Sequence, residues 1–222
     1  MFRDTTPIFE FYAPRALGGM PVQITQSWFM LLGLLLLLFM DGPDPVYSVI
    51  YITVLLGSIL LHELGHAWGA HIQGIPVKRV VLHGAGGFCQ ATRSTSAYED
   101  ELYVGMGPIV TIALWAISGL LIWTPVPYEV YEVLWAINYI NGFLALFNLL
   151  PVMPLDGGRI FHLILRRLFP SQTAARIAGG VGLFLALAWL PLMAVAFTYM
   201  GFILLFFPPI AVHWQMLRGA TA

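Results

Sequence analysis

Charged residues are scarce in this chain. Asp, Glu, Lys and Arg together make up 9% of its 222 residues, whereas 59% of the residues are apolar. A soluble globular domain usually carries a charged fraction of about 25%. The long apolar runs leave no room for a soluble domain of ordinary size, so the composition excludes that class and indicates a membrane protein.

The chain has a single cysteine and no net positive charge. The one cysteine, Cys89, has no partner for an internal disulfide and offers no thiolate cluster for zinc. Any metal site must therefore use histidine and carboxylate ligands. The formal net charge is -1, which gives none of the basic footprint that nucleic-acid binding requires. We expect no nucleic acid among the partners.

A leader peptide is not indicated either. The first long apolar run extends from Ile24 to Met40, and no small-residue cleavage site follows it. We therefore expect no cleaved signal peptide.

Apolar stretches of spanning length recur along the chain. A helix needs roughly 20 residues to cross a hydrocarbon core of about 30 Å. Six stretches reach or approach that length and predict six spans: 24–40, 46–72, 102–123, 130–150, 177–190 and 192–212. Pro191 separates the last two, which could instead form a tight hairpin or one bent, re-entrant element. The prediction is an all-α membrane protein with six transmembrane helices, in a single domain over residues 1–222.

The basic residues segregate to one side of this arrangement. All ten Lys and Arg residues precede the first span, lie in loops 73–101 and 151–176, or follow the last span. The opposite loops, together with the first turn of span 130–150, carry four acidic residues and no base: Asp41, Asp44, Glu129 and Glu132. Short cytoplasmic loops are enriched in Lys and Arg. We therefore expect cytoplasmic termini and a multi-pass protein of the cell membrane, in bacteria the inner membrane.

The loop after the second span has the composition of extended chain. β-Branched residues at Val77, Val80 and Val81 precede three glycines, at Gly84, Gly86 and Gly87. The pattern predicts a short β-hairpin at the membrane surface, although an ordinary connecting loop fits the composition equally well.

The sequence His62-Glu63-Leu64-Gly65-His66 carries the first chemical signal. Residues four apart lie on one face of a helix, so both imidazoles can reach one metal ion. Glu63 would then act as a base on water held at a zinc ion. A carboxylate at mid-membrane costs roughly 2.5–3.5 kcal/mol on insertion scales, which favours a functional role. The alternative is a polar site that packs helices together.

Zinc catalysis requires a third protein ligand and an open fourth position. His71 is one residue short of the position that the extended motif HExxHxxGxxH requires, and on a helix it would point away from His62 and His66. Asp156 is the stronger candidate, because it follows two prolines at the end of an apolar run. Irregular backbone at membrane depth is tolerated where it is buried or lines a wet cavity. Alternatively, Asp156 caps the helix that follows it.

HELGH in an apolar helix, followed about 80 residues later by NLLPVMPLDGGR, resembles the site-2 protease family of intramembrane zinc metalloproteases. The resemblance implies a three-helix catalytic core within about residues 46–160. It also implies zinc ligation by His62, His66 and Asp156, with Glu63 as the base. Asn148 matches a family residue that binds substrate or stabilises the reacting carbonyl.

Other segments extend the resemblance. Gly19-Met-Pro21-Val22 is similar to the family's entry segment, HGAGGF at 83–88 to its glycine-rich hairpin, and Gly107-Pro108 to its third-span motif. The family often has Asn shortly after that Gly-Pro pair, where this chain has Thr111. PDZ and CBS domains, which many members carry, have no room in these 222 residues.

These observations predict a zinc-dependent hydrolase that cuts a transmembrane protein in or near its membrane segment. We expect the glycine-rich hairpin, at Gly86 and Gly87, to bind the unwound substrate as an added strand. The resemblance suggests a membrane-tethered transcription factor or an anti-sigma factor as substrate. A divalent-metal transporter is the second hypothesis, and the absence of acids from the other spans argues against it.

Overall fold

The computed structural model describes residues 7–39, 44–200 and 206–219. In these ranges the chain forms four strands: β1 (Pro7–Tyr12), β2 (Pro21–Thr25), β3 (Val77–His83) and β4 (Gly86–Ala91). It also forms seven α-helices: α1 (Gln26–Phe39), α2 (Pro45–His71), α3 (Ala97–Leu121), α4 (Tyr128–Asn148), α5 (Asp156–Leu168), α6 (Ser171–Met200) and α7 (Ile210–Leu217). A short 3₁₀ helix, Arg15–Leu17, lies between β1 and β2.

Four of these helices are long and apolar enough to cross a membrane: α2, α3, α4 and the Ser171–Val195 part of α6. The predicted first span forms α1, an apolar helix of 14 residues, shorter than the four others. The prediction of six spans is not confirmed in the described residues.

The prediction that Pro191 separates a fifth and a sixth span is wrong. Pro191 lies inside α6, which continues to Met200. Of the predicted sixth span, residues 201–205 lie outside the described residues, and α7 has 8 residues. Proline is tolerated inside membrane helices, because neighbouring groups satisfy the backbone carbonyl that it leaves free.

The chain divides into two compact units, Met1–Leu146 and Phe147–Ala222. In the first unit, the four strands form one mixed sheet in the order β1-β2-β3-β4. β1 and β2 are antiparallel, β2 and β3 are parallel, and β3 and β4 form the predicted hairpin. The hairpin is thus confirmed, but it belongs to a larger sheet, and the chain is mostly helical rather than all-α.

The sheet has one apolar and one polar face. Val22, Val80 and Leu82 are buried in a hydrophobic cluster with Trp28 and Ala67 from helices α1 and α2. On the other face, polar side chains form a chain of hydrogen bonds across all four strands. Gln23 donates to Glu10, and Arg79 donates to Gln23 and Gln90.

Helices α2 and α3 approach each other closely. Gly65 and Gly69 lie one helical turn apart on α2, and added Cβ atoms there would come to 2.7 Å from the Met106 carbonyl oxygen and the Met106 Cγ, respectively. Small residues with this spacing allow membrane helices to pack backbone against backbone. α4 joins this pair through Asn141, whose amide nitrogen donates to the Ser58 hydroxyl at 2.9 Å.

In the second unit, residues 206–219 lie along α6. The Trp189 indole nitrogen donates to the Phe206 carbonyl at 2.7 Å, and α7 then packs against the first half of α6 at Gly179 and Gly182. Gly219, just after α7, lies beside the Arg176 guanidinium. The described end of the chain therefore lies near the start of α6.

Candidate metal centre

The HELGH residues lie in the interior of α2, well before its end at His71. The helix therefore keeps the four-residue spacing that puts both histidines on one face. His62, Glu63 and His66 are buried, with 6%, 7% and 7% of their surfaces exposed. The two imidazole rings meet edge to face, and their Nε2 atoms lie 3.2 Å apart.

This separation fits a pair of metal ligands. Two histidine nitrogens that bind one tetrahedral zinc ion at 2.0–2.1 Å lie about 3.3 Å from each other. The observed 3.2 Å is close to that value. The two rings are therefore already placed to bind one ion through Nε2.

A backbone contact sets the chemical form of His66. Its Nδ1 lies 2.9 Å from the main-chain oxygen of Tyr103 in α3. Because a carbonyl oxygen can only accept, Nδ1 donates, and in the neutral ring Nε2 keeps its lone pair. Such an outer hydrogen bond orients a ligand histidine and fixes its tautomer.

Gly107 of α3 provides the space in front of both rings. A Cβ at this position would come to 2.8 Å from Nε2 of His62 and would contact Nε2 of His66 still more closely. The missing side chain thus leaves a hollow bordered by the two nitrogens, where an ion fits.

Strand β4 covers the carboxylate of Glu63. A Cβ added at Gly87 would come to 2.5 Å from the Glu63 Cγ and 3.0 Å from its Oε1. The neighbouring Gly86 has φ +124°, a conformation that other residues rarely adopt. Of the predicted substrate-binding residues, Gly87 thus lies next to the proposed base, and Gly86 precedes it at the start of β4.

Asp156 is the first residue of α5, and Leu155 is the N-cap, so Asp156 is not the capping residue. The next residues, Gly157 and Gly158, pack directly against the backbone of the preceding segment, residues 149–153. Their lack of side chains permits this tight return of the chain. Asp156 itself is half-buried at this return of the chain.

The other candidate residues have different surroundings. His71, the last residue of α2, is exposed and lies against Gly18. Asn148 is the half-buried last residue of α4.

Burial, with a smaller contribution from Glu63, raises the pKa of the Cys89 thiol to about 12. This thiol stays protonated at neutral pH, which makes it unsuitable as a ligand or nucleophile.

Sequence reasoning did not identify the contribution of Tyr103. It acts on His66 through its backbone oxygen, which every residue type has, so no side-chain pattern marks the position. Gly107 was noted only as part of a Gly-Pro motif. Its neighbour in that motif, Pro108, lies inside α3, and proline is uncommon in the interior of a helix.

Comparison with known proteins finds similar sequences among zinc metalloproteases. Residues 120–189 match the model of peptidase family M50. The chain is 31% identical over 92% of its length to a putative zinc metalloprotease of Synechocystis sp., and 30% identical over 78% of its length to a zinc metalloprotease of Methanocaldococcus jannaschii. It covers 55% and 50% of those two proteins, about half of each.

The fold is similar to a solved structure. The site-2 protease from Methanocaldococcus jannaschii superposes with a TM-score of 0.64 and 22% sequence identity. The superposition covers 95% of this chain and 92% of that one. By sequence this chain is thus similar to zinc metalloproteases and, over residues 120–189, to peptidase family M50, and it has the fold of a site-2 protease.

Proposed function

We propose that this chain is an intramembrane zinc metalloprotease that hydrolyses a peptide bond within or near the transmembrane segment of a membrane protein. One observation carries the proposal. Two converging imidazoles and a carboxylate are buried side by side on α2, a helix long and apolar enough to span a membrane. Ionisable groups are rare at such depth, and where they occur they mark function.

His62, His66 and Asp156 are the proposed zinc ligands. Two neutral imidazoles and one carboxylate match a common catalytic donor set and leave one position open. When bound, zinc acts as a Lewis acid toward water and the substrate carbonyl. The 3.2 Å separation of the two Nε2 atoms and the hollow at Gly107 support the assignment of the two histidines.

Glu63 is the proposed general base. Its carboxylate accepts a proton from the water molecule that attacks the peptide carbonyl carbon. The C–N bond then breaks, and Glu63 returns the proton to the leaving nitrogen. Burial beneath β4 suits this role, because it limits bulk water around the carboxylate and keeps its position fixed.

Gly86 and Gly87 are proposed to bind the substrate. β4 lies at one end of the sheet, so in the described chain one of its edges has no neighbouring strand. An extended peptide can add to such an edge through main-chain hydrogen bonds. A transmembrane helix must unwind before it can bind this way, and unwinding exposes the peptide bond to attack. Asn148 would donate a hydrogen bond to the developing oxyanion.

Helices α2, α3 and α4, within about residues 46–160, form the proposed catalytic core of a single domain. We infer cytoplasmic termini and a site toward the cytoplasmic side from the one-sided basic residues. The lipid bilayer surrounds the protein, and a membrane-tethered transcription factor or an anti-sigma factor is the proposed class of substrate.

A cleavage assay with defined metal content tests the proposal. The full chain, purified in detergent, is incubated with tagged single-span membrane proteins, and the products are sized by mass spectrometry. We expect cleavage in or near the membrane segment that stops on removal of zinc and returns when zinc is added. Cleavage by the zinc-free protein would refute the metalloprotease mechanism.

Candidate substrates come from a matched comparison of membrane proteomes. A deletion strain that expresses either the wild-type chain or Glu63→Gln differs only in the proposed base. Full-length substrates should accumulate with the variant, and their shortened forms should appear with the wild type. Identical proteomes would argue against proteolysis in the cell.

A further inference from the structure

Tyr103 connects the candidate metal centre to strand β4. Its main-chain oxygen accepts a hydrogen bond from His66 Nδ1 at 2.9 Å, and its hydroxyl donates to the main-chain oxygen of Cys89 at 2.5 Å. The residue is buried, with 7% of its surface exposed. One residue of α3 thus holds both a proposed ligand of α2 and the strand that covers Glu63.

The register of the hairpin determines which groups of β4 face its free edge. His83 pairs with Gly86 across a two-residue turn, and the following pairs include Leu82 with Gly87 and Val80 with Cys89. The pair that closes a two-residue hairpin shares hydrogen bonds, and such pairs then alternate along the ladder. The backbone N–H and C=O groups of Gly87 and Cys89 therefore point away from β3.

These two residues have different surroundings at that edge. The backbone of Gly87 lies against Glu63, where an added strand would be next to the proposed base. Two residues further along, the Cys89 carbonyl already accepts the Tyr103 hydroxyl. An added strand can therefore approach the backbone groups at Gly87, but at Cys89 it meets the Tyr103 hydroxyl in the place where its own N–H would donate.

We propose that Tyr103 is a positioning residue that sets the register of the substrate strand on β4. This inference rests on the proposed function, since it concerns a strand bound for cleavage. Because the Tyr103 hydroxyl donates to the Cys89 carbonyl, a substrate strand cannot pair with the edge of β4 at Cys89. The substrate then pairs at Gly87, with a defined peptide bond next to Glu63.

Without the Tyr103 hydroxyl, the substrate strand should slip along β4 by a defined number of residues. A slip by one residue exchanges the two faces of a strand, whereas a slip by two keeps each side chain on its own face. Two residues correspond to about 6.6 Å along a strand. A free Cys89 carbonyl therefore permits a second register in which the cleaved bond is displaced by two residues.

Tyr103→Phe tests the inference, because it removes the hydroxyl and keeps the main-chain oxygen that orients His66. The probe is a tagged single-span membrane protein that the wild-type chain cuts in detergent. We expect one cleavage position for the wild type and an additional product, displaced by two residues, for the variant. Zinc content should be equal in both.

Tyr98→Phe is the matched control, since Tyr98 lies on the same helix and is 77% exposed. This variant should cut at the wild-type position alone. A single unchanged position for Tyr103→Phe would overturn the inference, and so would loss of zinc, which would make Tyr103 a structural part of the metal centre.

A second readout does not depend on cleavage. In the full chain, hydrogen exchange of residues 86–91 should be faster in Tyr103→Phe than in the wild type, with exchange of residues 97–121 unchanged. Equal exchange in β4 would show that the hydroxyl does not hold the strand. If the wild type cuts no membrane protein at all, the proposed function fails, and the exchange comparison still decides whether Tyr103 holds β4.

Discussion

The main chain of Gly87 lies against the side chain of Glu63, so close that a methyl group at position 87 would come to 2.5 Å from the Glu63 Cγ. Gly87 belongs to β4 and Glu63 to the middle of α2. The contact therefore joins the sheet to the helix that carries the two proposed ligand histidines, and it limits which residues position 87 accepts.

Gly87→Ala should lower cleavage while zinc remains bound. The new methyl group must displace either the Glu63 carboxylate or β4, because the neighbouring atoms are closer than real Cβ contacts allow. Displacement of a general base from its position should cost at least about tenfold in kcat/KM. Cleavage kinetics and zinc analysis of the purified variant test this. If Gly87→Ala has the kinetics of the wild type, β4 does not lie against Glu63 during cleavage.

Glu63→Gln should retain zinc and lose cleavage. The substitution keeps the shape of the side chain and removes the proton acceptor, while both histidines remain in place. General bases contribute about 100-fold to 10,000-fold to rates, so kcat should fall by that factor. Metal analysis and the detergent assay measure the two properties on one sample. A variant that cuts at the wild-type rate would remove Glu63 from the mechanism.

Gly107→Ala should empty the metal centre. A Cβ at this position would lie 2.8 Å from the His62 Nε2 and in contact with the His66 Nε2, inside the space proposed for the ion. Gly105→Ala is the control, because it lies on the same helix and no atom comes within 4 Å of its added Cβ. Zinc analysis should show a loss for the first variant alone. Equal zinc content in both would place the ion elsewhere.

Asp156→Ala and His71→Ala should differ strongly. Loss of Asp156 leaves two imidazoles and removes the negative charge from the ligand set, so zinc content and cleavage should both fall. His71 is exposed at the end of α2 and lies against Gly18, so its variant should keep about one equivalent of zinc. The opposite pattern would mean that α2 unwinds after His66 to bring His71 to the metal.

The topology prediction concerns three reporter positions. A reporter after Ala222 and one inserted between Phe169 and Pro170 should report the same side, because Gly219 lies beside Arg176 near the start of α6. A reporter within residues 41–45 should report the opposite side, since the basic residues lie on the side of the termini. If all three agree, the one-sided arrangement is wrong.

The apolar runs and the HELGH motif predict the helices that position the histidines. Helical spacing places His62 and His66 on one face, and the structure shows both rings on that face. The hairpin was predicted from its β-branched residues and glycines, which are local signals. The rest of the sheet was not, because β2 pairs with β3 across α1 and α2, and its five residues carry no local sign of that partner.

The error at Pro191 has a different origin. A proline in a soluble helix usually breaks it, which is the rule behind the predicted separation of two spans at Pro191. In an apolar environment, no water competes for the hydrogen bonds of the helix backbone. Helix α6 accordingly continues past Pro191. Beyond α6, the Phe206 carbonyl accepts a hydrogen bond from Trp189. A contact of this kind depends on tertiary packing, and no periodic pattern in the sequence predicts it.

The parallel pairing of β2 with β3 has a consequence for synthesis of the chain. Val22 pairs with Val80, so the central pair of the sheet closes only after both strands and the two helices between them have been made. Contacts of such long sequence separation form late in folding. A nascent chain that ends near His71 therefore holds both histidines and Glu63 without β4. Glu63 acquires its cover only after β4, which follows α2 in the chain, has been made.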